Sequence, residues 1–219
     1  MAALTFPLSV ASFFGKLRVQ DVRFQDAEPQ QVDRTANGTV LKASLGEPVW
    51  RGTVRLANDA NFHRGAETEA LLSLASRAGA SFLIYDPRKS FPKLDPTGSI
   101  LGATVPSLSA IDADRRRLSL SGLPSGYTMS PGDLLGWQYG SSPVRYAYHR
   151  IVVGAVANGS GNTGLMEVTP TIPVAATAGA AVSLIRPVMK AVMQPDPDYG
   201  GGGRRGVLGA SFGFSQTLR

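Results

Sequence analysis

The stretch that decides the fold runs from Leu94 to Leu184. It opens on Asp95-Pro96-Thr97-Gly98-Ser99-Ile100-Leu101-Gly102 and continues through Leu118-Ser119-Leu120-Ser121-Gly122-Leu123-Pro124-Ser125-Gly126-Tyr127 and Ser130-Pro131-Gly132-Asp133. It closes on Glu167-Val168-Thr169-Pro170 and Gly179-Ala180-Ala181-Val182-Ser183-Leu184. Short apolar runs alternate with turn dipeptides, which is how a series of short strands reads. Strands are expected near residues 99–105, 117–121, 133–139, 145–156, 164–169 and 181–186, punctuated by Gly126, Gly132, Gly140, Gly159-Ser160-Gly161 and Gly179. Strands this short and numerous are expected to close into a small barrel, because closure removes the exposed sheet edges.

The flanks read differently. Leu17 to Phe24, Thr39 to Leu45 and Val49 to Leu56 alternate apolar and polar residues, the mark of half-buried strands, and Asn37-Gly38 marks a tight turn. Residues 66–78 carry Leu71, Leu74, Ala75 and Ala78 at helical spacing, with Glu67 and Glu69 in the first turn, Arg77 in the last and Gly79 after it. Trp50, Leu71 and Leu74 are expected to be buried together. Ser81 to Tyr85 reads as a short strand stopped by Asp86-Pro87. Pro87, Pro92 and Pro96 interrupt regular structure and mark the crossing into the module. Arg186 to Gln194 alternates again, Gly200 to Gly203 reads as a flexible linker, and Phe212 and Phe214 share one face of a last strand.

The expected architecture is therefore mainly β. A discontinuous β-sandwich-like outer domain with one α-helix, residues 1–94 plus 186–219, carries an inserted small β-barrel at 95–185.

Composition narrows the function. Hydrophobic residues are 43% of the chain and charged ones 17%, so a packed core is within reach and a disordered chain is not expected. There are 25 glycines and 15 prolines, as many turns require. The absence of cysteine rules out disulfides and thiolate metal sites. No apolar run reaches the ~20 residues of a membrane span, and the first residues lack a signal-peptide pattern. A soluble protein made in a cytoplasm is expected.

Catalytic signals are weak. His63 and His149 are the only histidines, and no Gly-x-Ser-x-Gly stands at a strand-to-helix turn. Gly159 to Gly164 lacks the Lys-Ser/Thr of a phosphate loop and reads as a hairpin loop. Glu47, Asp86, Asp95 and Asp133 could supply the two carboxylates of sugar cleavage, but each adjoins Pro or Gly, as turn acids do. No cofactor, metal or catalytic residue is expected. Trp50, Trp137, Tyr139, Tyr146 and Tyr148 read as core aromatics. The formal charge is +6, and Arg115-Arg116-Arg117 and Arg204-Arg205 are the basic clusters. Without a basic helix, they are read as assembly contacts to acidic neighbours and not as sequence-specific nucleic-acid readers.

Glu47-Pro48-Val49-Trp50-Arg51-Gly52, the helix at 66–78, Ser81 to Arg88 and Gly122-Leu123-Pro124-Ser125-Gly126-Tyr127 resemble proteins of tailed bacteriophages and prophages. The similarity is to the distal tail protein and baseplate components of long-tailed (siphovirus-like) phages. The resemblance implies a structural virion protein of the tail tip, not an enzyme. It implies a hexameric ring of identical subunits that joins the tail tube protein to hub or tip proteins and lines the DNA channel. The alternative is a binding module whose barrel contacts host glycans or holds receptor-binding fibres. The implied location is the virion tail.

Overall fold

A computed structural model describes residues 5–203 and 206–219. Strands take 39% of the chain and helical turns 10%, so the protein is mainly β. In chain order the first elements are β1 Val19–Ala27, β2 Gln30–Arg34, β3 Val40–Ser44, β4 Val49–Leu56, the α-helix α1 Phe62–Ala75 and β5 Phe82–Ile84. Then come β6 Ser107–Ile111, β7 Arg117–Ser121, β8 Thr128–Met129, β9 Leu134–Tyr139, β10 Arg145–Val153, β11 Ala155–Val156, β12 Met166–Thr169 and β13 Val182–Ser183. The last are β14 Met189–Met193, β15 Gly201–Gly203, β16 Gly206–Leu208 and β17 Ser211–Gln216.

Two compact units divide the chain. Unit 1 comprises residues 1–25, 50–87 and 188–219, and unit 2 comprises residues 26–49 and 88–187. The sequence placed the boundaries at 94/95 and 185/186 and left residues 26–49 in the outer domain. The fold moves that segment into unit 2, through contacts such as the hydrogen bond from Thr169 Oγ1 to Asp26 Oδ2 at 2.9 Å. A partnership across 143 residues leaves no local trace in a sequence.

Unit 1 is built on a five-stranded sheet in the order β1-β4-β17-β14-β5. β17 pairs antiparallel with both β4 and β14, and β14 pairs antiparallel with β5. The alternation read from the sequence places Val22 and Phe24 of β1, Val54 and Leu56 of β4, and Phe212 and Phe214 of β17 in the core. Aromatic rings fill much of it. Phe13 meets Phe82 at 4.7 Å between centroids and Phe212 at 6.1 Å, while Phe24 meets Phe214 at 4.9 Å. The outer side of β5 is partly closed by Leu8, whose N–H donates to Ser81 O at 2.8 Å and whose carbonyl accepts from Leu83 N–H at 2.9 Å.

The helix starts earlier than its apolar spacing suggests. Asn61 caps it, its Oδ1 accepting the N–H groups of His63 at 3.0 Å and Arg64 at 3.3 Å. With the start moved to Phe62, Glu67 and Glu69 fall beyond the first turn, and Arg77 lies past the end. The buried face is Gly65, Leu72 and Ala75, with Leu71 and Leu74 only half-buried. The expectation that Leu71 and Leu74 join Trp50 in the core is corrected to Leu72, which is fully buried. Leu72→Ala should therefore cost about 2–5 kcal/mol in a urea titration, and Leu74→Ala distinctly less. Equal losses from both would contradict this placement.

The glycine run is not a linker. Gly201–Gly203 forms β15 and pairs with β16 in the register Gly201↔Leu208, Gly202↔Val207 and Gly203↔Gly206. Arg204 and Arg205, singled out as assembly contacts, lie outside the described residues.

Unit 2 holds the barrel. Its six-stranded sheet runs β13-β9-β10-β12-β7-β6. The two end strands come together at the Ser107↔Ala181 bridge, beside hydrogen bonds from Leu108 N to Ala180 O at 2.9 Å and from Gly179 N to Leu108 O at 2.7 Å. The sheet is thus nearly closed, around Leu118, Leu120, Leu135, Trp137, Ile151 and Met166. Strands expected near 117–121, 133–139, 164–169 and 181–186 appear as β7, β9, β12 and a shorter β13. The strand expected at 99–105 does not form; the first barrel strand is β6 at Ser107–Ile111. The cause is Asp95, whose carboxylate takes the N–H groups of Ile100 at 3.1 Å and Leu101 at 2.9 Å and winds the segment into turns. The run 145–156 splits into β10 and β11 at Gly154, where a Cβ would collide with the Met129 carbonyl. Incoming and outgoing chains lie side by side, with Arg186 N donating to Ser90 O at 2.8 Å.

The hairpin of β2 and β3 also belongs to unit 2. It turns at Asn37-Gly38 as the sequence suggests, with Gly38 at φ +83°, a left-handed value that favours glycine. β2 was not foreseen, because Gln30-Gln31-Val32-Asp33-Arg34 has one apolar residue and no alternation.

Candidate binding groove

A groove of about 570 Å³ opens at the root of the β2–β3 arm. One wall is the arm's base, with Asp26, Glu28 and Gln30; the other is the barrel, with Arg116, Val152 and Glu167. Local chemistry sets these side chains. Gln30 Nε2 donates to Glu28 Oε2 at 2.8 Å. Hydrogen bonds from Gln30 and Ser44, with the Arg116 guanidinium nearby, hold the Glu28 carboxyl below the usual carboxylate range. Asp26 anchors the barrel wall through Thr169. Asp26, Glu28 and Glu167 against Arg116 leave the groove with an acidic balance. No aromatic ring lines it among the described residues.

The arginine triplet is split three ways. Arg115 takes a left-handed backbone, φ +57°, and its Nη1 donates to the carbonyls of Pro173 at 2.7 Å and Ala176 at 3.1 Å. It fastens a loop and is only half-exposed. Arg117 is ion-paired with Asp112. Arg116 lines the acidic groove. The three therefore do not form one basic patch.

Of the four carboxylates weighed for sugar cleavage, Asp95 and Asp133 hold backbone N–H groups, and Asp86 is buried. Asp133 Oδ1 accepts Lys93 N–H at 2.8 Å and its Oδ2 accepts Ser130 N–H at 2.8 Å. Burial pushes the Asp95 carboxyl up, but the Leu101 and Ile100 N–H groups and the Tyr127 hydroxyl outweigh it, leaving Asp95 below its ordinary value. Tyr127 in turn is pushed up by burial and by Asp95. Asp95 and Asp133 are both buried. Glu47 is exposed beside Pro48.

The two histidines also sit apart. His63 lies in the first turn of α1 and is exposed. His149 lies inside the barrel, 1% exposed, stacked on Trp137 with ring centroids 4.8 Å apart. Its Nδ1 is 2.8 Å from Pro170 O, a contact that makes Nδ1 the protonated nitrogen, because a carbonyl can only accept. Nε2 then carries a lone pair with no hydrogen-bond partner among the described residues. Burial pushes the His149 pKa down to about 4. Trp50, Trp137, Tyr139 and Tyr148 are core residues as expected, and Tyr146 is half-buried. The Gly159–Gly164 loop wraps on Asn158, whose Oδ1 accepts Ser160 N–H at 2.9 Å and Asn162 N–H at 3.0 Å.

Among the described residues no group of three or more His, Asp or Glu is placed to hold a metal ion, and no helix is long and apolar enough to cross a membrane. No family model matches the chain, and a search of curated proteins returns no match. Sequence reasoning missed the groove. Its acids come from residues 26–28 and 167, which only the fold brings together.

Proposed function

We propose that the chain is a structural virion protein of a phage tail tip. In this reading it is a distal tail protein-like subunit that forms a six-membered ring, joins the tail tube to the tip or baseplate and lines the channel for DNA. The observation that carries the reading is the edge of unit 1. Among the described residues β1 ends the five-strand order, and its stretch in unit 1, residues 19–25, contains no proline, so it suits the edge role of a strand that meets a neighbour. Closed rings hide such edges by pairing them between subunits. The barrel inserted between β5 and β14 supports the reading, since it adds a second surface without interrupting the sheet. The use of Asp95 and Asp133 as backbone clamps supports a structural role over a hydrolytic one. Partners under this reading are further copies of the chain, the tube protein, hub or tip proteins and fibres. Antibody labelling of intact virions tests the location: label at the distal end of the tail supports it, and label confined to heads or free protein refutes it.

A further inference from the structure

The arm of β2 and β3 is exposed on both faces. All ten of its paired residues are exposed, and Val32 (54%), Val40 (46%) and Leu41 (54%) leave about half their surface in water. A two-stranded ribbon without a covered face is marginal alone, so these aliphatic side chains call for a partner. The register sorts them. Gln30↔Ser44, Val32↔Lys42 and Arg34↔Val40 lie on one face, which therefore presents two valines and two cations and no acid. Asp33 and Leu41 lie on the other.

The complement of that face is the groove at the arm's own root, where Asp26, Glu28 and Glu167 outnumber the single cation Arg116 and Val152, 46% exposed, supplies apolar surface. The outer end of an arm stands away from its own groove. Gln30 lines the groove, and pairing runs without a bulge from Gln30 to Arg34. At ~3.4 Å per residue Arg34 stands roughly 14 Å out along the ribbon. The occupant that matches in charge and shape is thus the same arm on another copy.

We propose that the arm of one copy lays its Val32, Arg34, Val40 and Lys42 face into the groove of a second copy of this chain, head to tail. This rests on the ring reading above and names the contact that closes the ring. Arg34 and Lys42 meet Glu28 and Glu167, while the two valines cover Val152. A head-to-tail contact of this kind uses two different surfaces and closes when the rotation between subunits divides a full turn.

The test is the assembly state of the full-length protein by native mass measurement across a concentration series. Three variants are compared with the parent: Arg34→Glu with Lys42→Glu, Glu28→Arg with Glu167→Lys, and all four together. Every altered residue is exposed, and circular dichroism confirms each fold. Each pair alone should raise the concentration needed for assembly at least about tenfold, and the fourfold variant should recover it. A parent that forms rings while both pairs assemble equally well overturns the arm contact and leaves the ring reading standing. Weakening by both pairs without recovery in the fourfold variant also overturns the pairing. A parent that stays monomeric throughout removes the ring reading, and the inference with it.

Discussion

Gly52→Ala is expected to destabilise unit 1 by more than about 3 kcal/mol, at the upper end of what overpacking costs. Gly52 stands opposite Phe214 in the β4–β17 pair. A Cβ there would collide with the Arg23 carbonyl oxygen and stand 2.6 Å from Phe214 Cζ. Neither neighbour has room to yield. The oxygen belongs to the backbone, and the Phe214 ring is fully buried against Phe24. The missing side chain is what lets the Phe214 ring pass this close to the β4 backbone. Adding Phe214→Leu should not rescue the variant, because the Arg23 carbonyl remains. Urea denaturation followed by circular dichroism measures the effect, and a loss below about 1 kcal/mol would show that β1 and β4 can part without cost.

Acid should unfold the barrel through His149 before the carboxylates respond. The folded pKa, about 4, lies below the ordinary 6.5, so the unfolded chain binds the proton more readily between those values. The neutral ring's contribution is full above pH 6.5 and is lost as pH falls toward 4. The loss amounts to about 3 kcal/mol, taking 1.36 kcal/mol per pKa unit. Asp95 acts in a lower window. Its carboxyl is held below the ordinary 3.8, so its contribution persists above that value and is lost as pH falls further. His149→Phe keeps a ring on Trp137 but removes the titration. Stability measured from pH 7 to 4 should slope steeply in the parent and lie nearly flat in the variant. Parallel slopes would mean that His149 is hydrated when folded.

These two sites show what was legible in the sequence. The alternation of Val49 to Leu56 and the Phe212-Phe214 pair marked β4 and β17 and their buried faces, because a period of two is a local property. Gly52 lay inside that pattern, but its need to be glycine depends on Phe214, 162 residues away. The barrel followed from turn spacing. Its first strand was misplaced because Ile100 and Leu101 look like strand residues until Asp95 captures their N–H groups. The helix was found, but its register was set by Asn61, a polar cap outside the apolar run. The arginine triplet looked like one patch. A left-handed backbone at Arg115 and a bond to Asp112 at Arg117 send the three side chains to different tasks. The groove could not be read at all, because its acids stand on two walls that are far apart in the sequence.

The native mass of the purified protein over a wide concentration range decides whether this chain is a ring subunit, as proposed. A discrete species at six times the 23.0 kDa chain mass is expected, seen as closed rings in negative stain. A single-chain mass at every concentration, with no ring on the grid, would contradict it.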